Sequence, residues 1–228
     1  LRKKRRMKMI KIDNLVKKYG KKTVVKGISF EIKKGEVVGF LGPNGAGKTT
    51  TMNILTGYIS SDSGKVSVDE YDILENPYEV KKRIVTKLNN KFKFATIVHP
   101  KVLIHDYMEI GEGCIVYEGV IITANVSIGN HVIISPKCGV GHDTIIENYV
   151  SLLWNVNISG NDRIGEGVMF GSGSTIIQGK NVGMAAIIGA GAVVTKDIPA
   201  GATVVGIPAK VIKLGGVNEE SIICNNSK

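Results

Sequence analysis

The sequence predicts a mostly β protein: a left-handed parallel β-helix preceded by an incomplete α/β segment that carries a phosphate-binding loop. Three observations support this. From Val98 to Val194 every sixth residue is apolar, 17 positions with no insertion to break the frame. Upstream, Gly42-Pro43-Asn44-Gly45-Ala46-Gly47-Lys48-Thr49 completes the pattern G-x-x-x-x-G-K-[ST]. Charge also divides the chain: residues 1–97 hold 22 Lys and Arg against 9 Asp and Glu, whereas residues 98–228 hold 8 against 11.

The repeat sets the larger element. Each six-residue unit forms one flat side of a coil and points its marked residue inward, so three units close a triangular coil and residues 18 apart stack. Four places after the marked residue stands a small or β-branched side chain, as at Val102, Val120, Val126, Val132, Val150, Ala186 and Ala192. Cys114 and Cys138 share that inward position and are expected to be core thiols. Asp162 and Lys180 also occupy it, one coil apart. With neighbouring strands ~4.8 Å apart, the two charges are expected to meet as an inward ion pair.

The first half is read from its loop. An apolar run, Val37–Leu41, precedes the loop, and a helix-compatible stretch, Thr50–Thr56, follows it. Backbone N–H groups of such a turn and of the next helix N-terminus make an anion cradle. The apolar run is expected to be a strand with at least one open edge. Farther on, Asn76-Pro77 reads as a helix cap and first turn, with Val80, Ile84 and Leu88 at helical spacing.

With 43% apolar residues the chain can build a sizeable core. Much of the basic excess lies in Arg2-Lys3-Lys4-Arg5-Arg6, which lacks interleaved aromatics and reads as a solvated tail, not a nucleic-acid site. The chain opens on Leu1 with Met7 and Met9 behind that run, so residues 1–6 are expected to stand outside the natural protein. No secretory leader is visible, and the longest apolar stretch, around Ala185–Val194, falls short of the ~18 residues of a spanning helix. A soluble, cytoplasmic protein with no integral membrane segment is expected. Three cysteines are too few for a disulfide framework. No cluster of metal ligands stands out.

Residues 7 to about 80 resemble the start of the ATPase subunit of ABC transporters. The matching stretches are Ile10–Leu15, Lys18-Tyr19-Gly20, Gly27–Phe30, Gly35–Phe40, the loop through Gly57, and Ser63–Val66. The resemblance implies that Tyr19 stacks on adenine, and that Gly42, Pro43, Asn44, Gly45, Ala46, Gly47, Lys48, Thr49 and Thr50 hold the phosphates of ATP. Lys48 would reach the β- and γ-phosphates and Thr49 would hold Mg²⁺. The resemblance stops near Arg83. Residues 84–228 contain no Leu-Ser-Gly-Gly signature, glutamine loop, Asp-Glu strand end or switch histidine. Without the acidic strand the metal loses a ligand and water its base, so hydrolysis is not expected.

From Glu79 onward the chain resembles hexapeptide-repeat sugar acyltransferases, the group of sialic acid O-acetyltransferases and amino-sugar N-acetyltransferases. The motifs are Phe92–Pro100, Gly141-His142-Asp143, Ser159-Gly160-Asn161, Gly189–Val194 and Gly206-Ile207-Pro208-Ala209-Lys210. The resemblance implies a homotrimer that moves acetyl from acetyl-CoA to a sugar or nucleotide-sugar acceptor. His142 would be the general base, with Asp143 fixing its tautomer. Acetyl-CoA would lie in a groove between subunits at Ser151, Gly171, Ser172, Gly189 and Ala190. Ser151 departs from the pattern, because a second histidine often stands there. Trp154 departs too, standing at a corner where smaller residues are usual. His131 lacks an acidic neighbour and reads as an ordinary turn residue whose replacement changes little; His99 and His105 read likewise.

The family's usual N-terminal acceptor-binding domain is replaced here by the ABC-like piece. The join falls within Lys81-Lys82-Arg83-Ile84, with no glycine- or proline-rich linker, and the chain reads as a recombination of two parents. The expected organisation is a truncated phosphate-loop segment (1–80), a connecting helix and lead-in strand (81–97), the β-helix (98–213) and a tail (214–228). An acyltransferase weakened by the missing acceptor domain is the leading reading. The alternatives are an ATP-binding module without hydrolytic residues and an inactive structural chimera.

Overall fold

A computed structural model describes residues 8–56, 59, 61–68, 71–73, 77–89, 91–104 and 107–214. The basic run Arg2–Arg6, Asn76, His105 and the tail beyond Leu214 lie outside the described residues. The chain divides into two compact units, residues 1–90 and 91–228.

In the first unit, β1 (Lys8–Tyr19) and β2 (Lys22–Lys33) form an antiparallel hairpin turned at Gly20, whose φ of 59° suits glycine. β3 (Ser63–Val68) pairs antiparallel with the other edge of β1, and β4 (Tyr71–Asp72) follows it. Two helices accompany this sheet, α1 (Lys48–Leu55) and α2 (Pro77–Asn89). Ile12, Leu15, Val25, Ile54, Val66, Ile73 and Val80 form the core, with Ile84 packed against it. The Lys81–Ile84 join therefore lies inside one continuous helix. Val80 and Ile84 serve the core as their spacing predicts, whereas Leu88 stays exposed.

The strand expected at Val37–Leu41 does not form. Val37 and Leu41 are fully exposed, and neither takes part in the four-stranded sheet. A strand is held by the ladder bonds of a neighbour, and Val37–Leu41 pairs with none of β1 to β4.

The second unit is a parallel β-solenoid of about six turns. Its strands are two residues long and pair with the residue 18 positions on: Val116 with Ile134, Leu152 and Phe170 on one side, Ile122 with Val140 and Ile158 on the next, Ile128 with Ile146 and Ile164 on the third. From Val116 to Val194 every marked residue is buried. The first coil departs from the expectation: Ile104 is half exposed, because no strand forms there and the second side begins only at Ile121–Ile122. At the far end Ala202–Val205 and Lys210–Leu214 close the stack as an antiparallel hairpin.

Cys114 and Cys138 are buried in the solenoid interior. Asp162 also points inward and is buried, but its expected partner is corrected. The carboxylate accepts the backbone N–H of Lys180 at 2.7 Å and that of Gly160 at 3.1 Å. The Lys180 ammonium instead donates to the Gly179 carbonyl at 3.3 Å. Backbone donors, one from the next coil and one from the same turn, reach the carboxylate without taking an ammonium out of water, which is the less costly way to satisfy a buried charge.

Candidate active site

The solenoid has three edges, and its candidate residues other than Ser151 sit on two of them. His142 and Asp143 occupy the corner after the strand Gly139–Val140, with Asp143 in the left-handed region at φ 58°. The His142 Nδ1 lies 2.7 Å from Asp143 Oδ2, and both side chains are half exposed. Asp143 is held from its other side, where Asn125 Nδ2 donates to its Oδ1 at 2.7 Å. These bonds, Asn125 first and His142 second, hold the Asp143 carboxyl below its usual range. An ionised carboxylate on Nδ1 favours the Nδ1–H tautomer and leaves a lone pair on Nε2.

The next coil makes room for the ring. A Cβ on buried Gly160 would fall within 3.2 Å of His142 Cδ2 and Nε2, so glycine lets the imidazole lie close against that turn. The His142 carbonyl also accepts the Asn161 N–H at 2.6 Å, which ties the two corners together. The sequence reading did not single out Asn125. Its signal was the 18-residue spacing to Asp143, combined with asparagine's tolerance of the left-handed conformation.

The edge after the strand Met169–Phe170 carries the expected cofactor residues. Gly171 and Ser172 stack under Gly189 and Ala190, with Gly191 N–H bonded to the Ser172 carbonyl at 2.9 Å. A Cβ on Gly171 would stand 2.5 Å from the Ala190 nitrogen, so the coils meet there only because residue 171 is glycine. Ser172 and Ala190 are exposed on this edge. Trp154 stands one coil below Ser172 on the same edge, also exposed, its carbonyl accepting the Gly173 N–H at 2.8 Å. Ser151 lies instead on the flat side, paired with Ile133 and Met169. Within one chain the His142 corner and the Ser172–Ala190 edge do not meet.

His131 stands at a turn as expected, with φ 57°, but its side chain is not exposed. It is buried, stacked on Tyr149 with centroids 5.3 Å apart and meeting Phe94 edge-on at 4.8 Å.

In the first unit the phosphate loop leads into α1. Gly45 and Gly47 take φ of 83° and 86°, and the Thr51 N–H and hydroxyl both return to the Gly47 carbonyl. Lys48 Nζ donates to the carbonyls of Gly42 at 2.6 Å and Pro43 at 2.8 Å. Thr49 and Thr50 lie in the first turn of α1. The loop thus offers amide donors suited to an anion, but its lysine must leave two carbonyls to meet a phosphate. Tyr19 is exposed at the end of β1, with the Lys17 ammonium 5.7 Å from its ring centre.

Comparison with known proteins finds different relatives for the N-terminal and C-terminal parts of the chain. The ABC transporter family model matches residues 25–106. The N-terminal part carries ABC ATPase sequence. This match runs past Arg83, where the motif reading ends it. Linearmycin resistance ATP-binding protein LnrL of Bacillus subtilis (strain 168) is 50% identical over 76 residues, 33% of this chain and 24% of the relative. Lantibiotic transport ATP-binding protein SrtF of Streptococcus pyogenes is 52% identical over 58 residues, 25% of each. The chain thus spans about a quarter of the length of these curated relatives.

Solved structures resemble the C-terminal part. A mutant perosamine N-acetyltransferase from Caulobacter crescentus, in complex with CoA and GDP-perosamine, superposes with a TM-score of 0.58 at 28% identity, over 60% of this chain and 65% of that one. The acetyltransferase domain of PglB from Neisseria gonorrhoeae FA1090 gives 0.57 at 32% identity, over 59% and 66%. The structural neighbours of the solenoid are sugar acetyltransferases of the hexapeptide-repeat type. Among the described residues, no helix is long and apolar enough to cross a membrane.

Proposed function

We propose that the solenoid transfers acetyl from acetyl-CoA to an amino or hydroxyl group of a sugar or nucleotide sugar, acting as a homotrimer. The observation that carries this reading is the exposed His142–Asp143 pair, with Nδ1 engaged by the carboxylate and Nε2 left to act as base. Nε2 takes the proton of the acceptor amine or hydroxyl as that group attacks the acetyl carbonyl; the imidazolium, stabilised by Asp143, then returns the proton to sulfur as the C–S bond breaks and CoA leaves as the thiol.

Because the base and the Ser172–Ala190 edge lie on different corners, a complete site needs a second subunit. A three-fold assembly supplies it by setting the His142 corner of one chain against that edge of its neighbour. The perosamine enzyme's complex with CoA and a nucleotide sugar supports the substrate class. The ABC-like piece stands where the resemblance implies an acceptor-binding domain, so weak saturation by acceptor is part of the reading.

The test is acetyl transfer from acetyl-CoA to amino-sugar nucleotides, run beside sedimentation. A trimer with measurable transfer that is lost in His142→Ala supports the reading. A protein that neither binds acetyl-CoA nor transfers acetyl overturns it.

A second reading concerns the first unit alone. We infer that the Gly42–Thr49 loop is an anion site of low affinity, supported by its two left-handed glycines and by α1, which starts at Lys48. Nothing downstream supplies the acidic strand end that hydrolysis requires, so nucleotide binding without turnover is the expected behaviour.

A further inference from the structure

We propose that Asn125 is a positioning residue that holds the imidazole of His142 in its Nδ1–H tautomer by fixing Asp143. The inference rests on the acetyl-transfer reading of the His142 corner and deepens it by one residue.

Asn125, Asp143 and Asn161 stand 18 residues apart at one corner of three successive coils, and all three take left-handed φ, at 57°, 58° and 49°. That shared conformation brings the side chains of Asn125 and Asp143 together. The Asn125 amide donates to Oδ1 of Asp143 at 2.7 Å, and Oδ2 faces His142 Nδ1 at 2.7 Å. The carboxylate is thereby gripped at both oxygens. The Asp143 N–H adds a bond to the Ala124 carbonyl at 3.1 Å, which anchors its backbone to the coil that carries Asn125.

The grip matters because Asp143 is half exposed. A carboxylate there has water on several sides, and without a second partner it is free to turn Oδ2 away from the imidazole. The ring's tautomer is set by the hydrogen bond that its other nitrogen makes. Once Nδ1 loses its acceptor, protonation at Nε2 competes and the base disappears from the neutral ring. The charged groups of the adjacent coils do not replace the grip. The Asp162 carboxylate is turned inward onto the Gly160 and Lys180 N–H groups, and the Lys180 ammonium is turned to the Gly179 carbonyl.

The experiment reads the tautomer directly. Imidazole ¹⁵N spectra of the full chain are recorded at high pH, with His142→Ala used to assign His142 among the four histidines. Asn125→Gly removes the amide yet suits the left-handed backbone, and Asn125→Asp keeps the size and the backbone but offers an acceptor in place of the donor. The parent is expected to show Nδ1–H. Both variants should lose it to the extent that Asp143→Ala does.

Acetyl transfer in Asn125→Gly should fall roughly tenfold in kcat, with KM for acetyl-CoA unchanged. Asn125→Asp, by placing a second carboxylate at the corner, should move the base limb of the pH–rate profile upward. Retention of Nδ1–H in both variants overturns the assignment. If the parent transfers no acetyl but its tautomer still responds to Asn125→Gly, the positioning role stands and the acetyl-transfer reading alone falls.

Discussion

The Asp162 carboxylate grips the backbone N–H of Lys180 at 2.7 Å, while the Lys180 side chain turns away to the carbonyl of Gly179. A buried acid is thus satisfied by main chain, and the residue that looks like its counter-ion supplies little beyond an amide. Burial pushes the Asp162 carboxyl above its usual value, and the N–H groups of Lys180, Gly160 and Gly179, with the Lys180 charge, offset this only in part.

A pH dependence follows from that balance. The folded pKa lies above the unfolded one, so the group's contribution to stability is full below about pH 4, the unfolded carboxylate value, and is lost as pH rises through the folded pKa. Asp162→Asn does not titrate. The stability of the parent relative to Asp162→Asn should therefore decline from about pH 4 upward, read as the difference between urea midpoints at a series of pH values. Lys180→Met should move stability by less than about 1 kcal/mol, since it retains the N–H that the carboxylate uses. A flat difference across pH would count against the buried, shifted acid.

Loss of the base has a distinct signature. His142→Ala should lower acetyl transfer by ~10²–10⁴ while leaving acetyl-CoA binding and the sedimentation coefficient unchanged. Transfer at the parent rate would remove His142 from the mechanism.

Trp154 is the single tryptophan of the chain and shares an edge with Ser172 and Ala190. Addition of acetyl-CoA should change its emission in a saturable way, with the same midpoint as calorimetry gives. An emission spectrum indifferent to saturating acetyl-CoA would place the cofactor on another edge.

The phosphate loop should bind ATP–Mg weakly or not at all, because Lys48 is already held by two carbonyls and the Val37–Leu41 segment that precedes the loop is unpaired. Phosphate release should stay at background in the parent and in Lys48→Ala alike. Turnover that Lys48→Ala abolishes would refute this.

His131→Ala should cost about 1–3 kcal/mol of stability, because it empties a buried slot between Phe94 and Tyr149. Thermal denaturation reads the loss. Acetyl transfer measured well below the lowered midpoint should stay near the parent rate, which separates this histidine from His142.

The sequence by itself determined the solenoid. A period of six imposes the same environment on every unit, and each coil is held by the one before it, so a local pattern is enough to specify the stack and to bury Val116 through Val194. It also offered the His142–Asp143 turn, whose two residues are adjacent in the chain, and the glycine edge at Gly171 and Gly189, whose residues stand one 18-residue coil apart. What the tertiary structure alone decided depends on partners distant in sequence. Val37–Leu41 has the composition of a strand but remains unpaired, because its ladder bonds would have to come from another strand. Ile104 keeps the frame yet is half exposed, because no strand forms at its side of the first coil. Asp162 takes an amide in place of an ammonium, and Asn125 reaches Asp143 across a coil, because corner geometry decides which polar atoms come within 3 Å of each other. Periodicity sets which residues face inward and which share a corner, as the 18-residue spacing does for Asn125 and Asp143; which polar atoms bond there is set by three-dimensional distances.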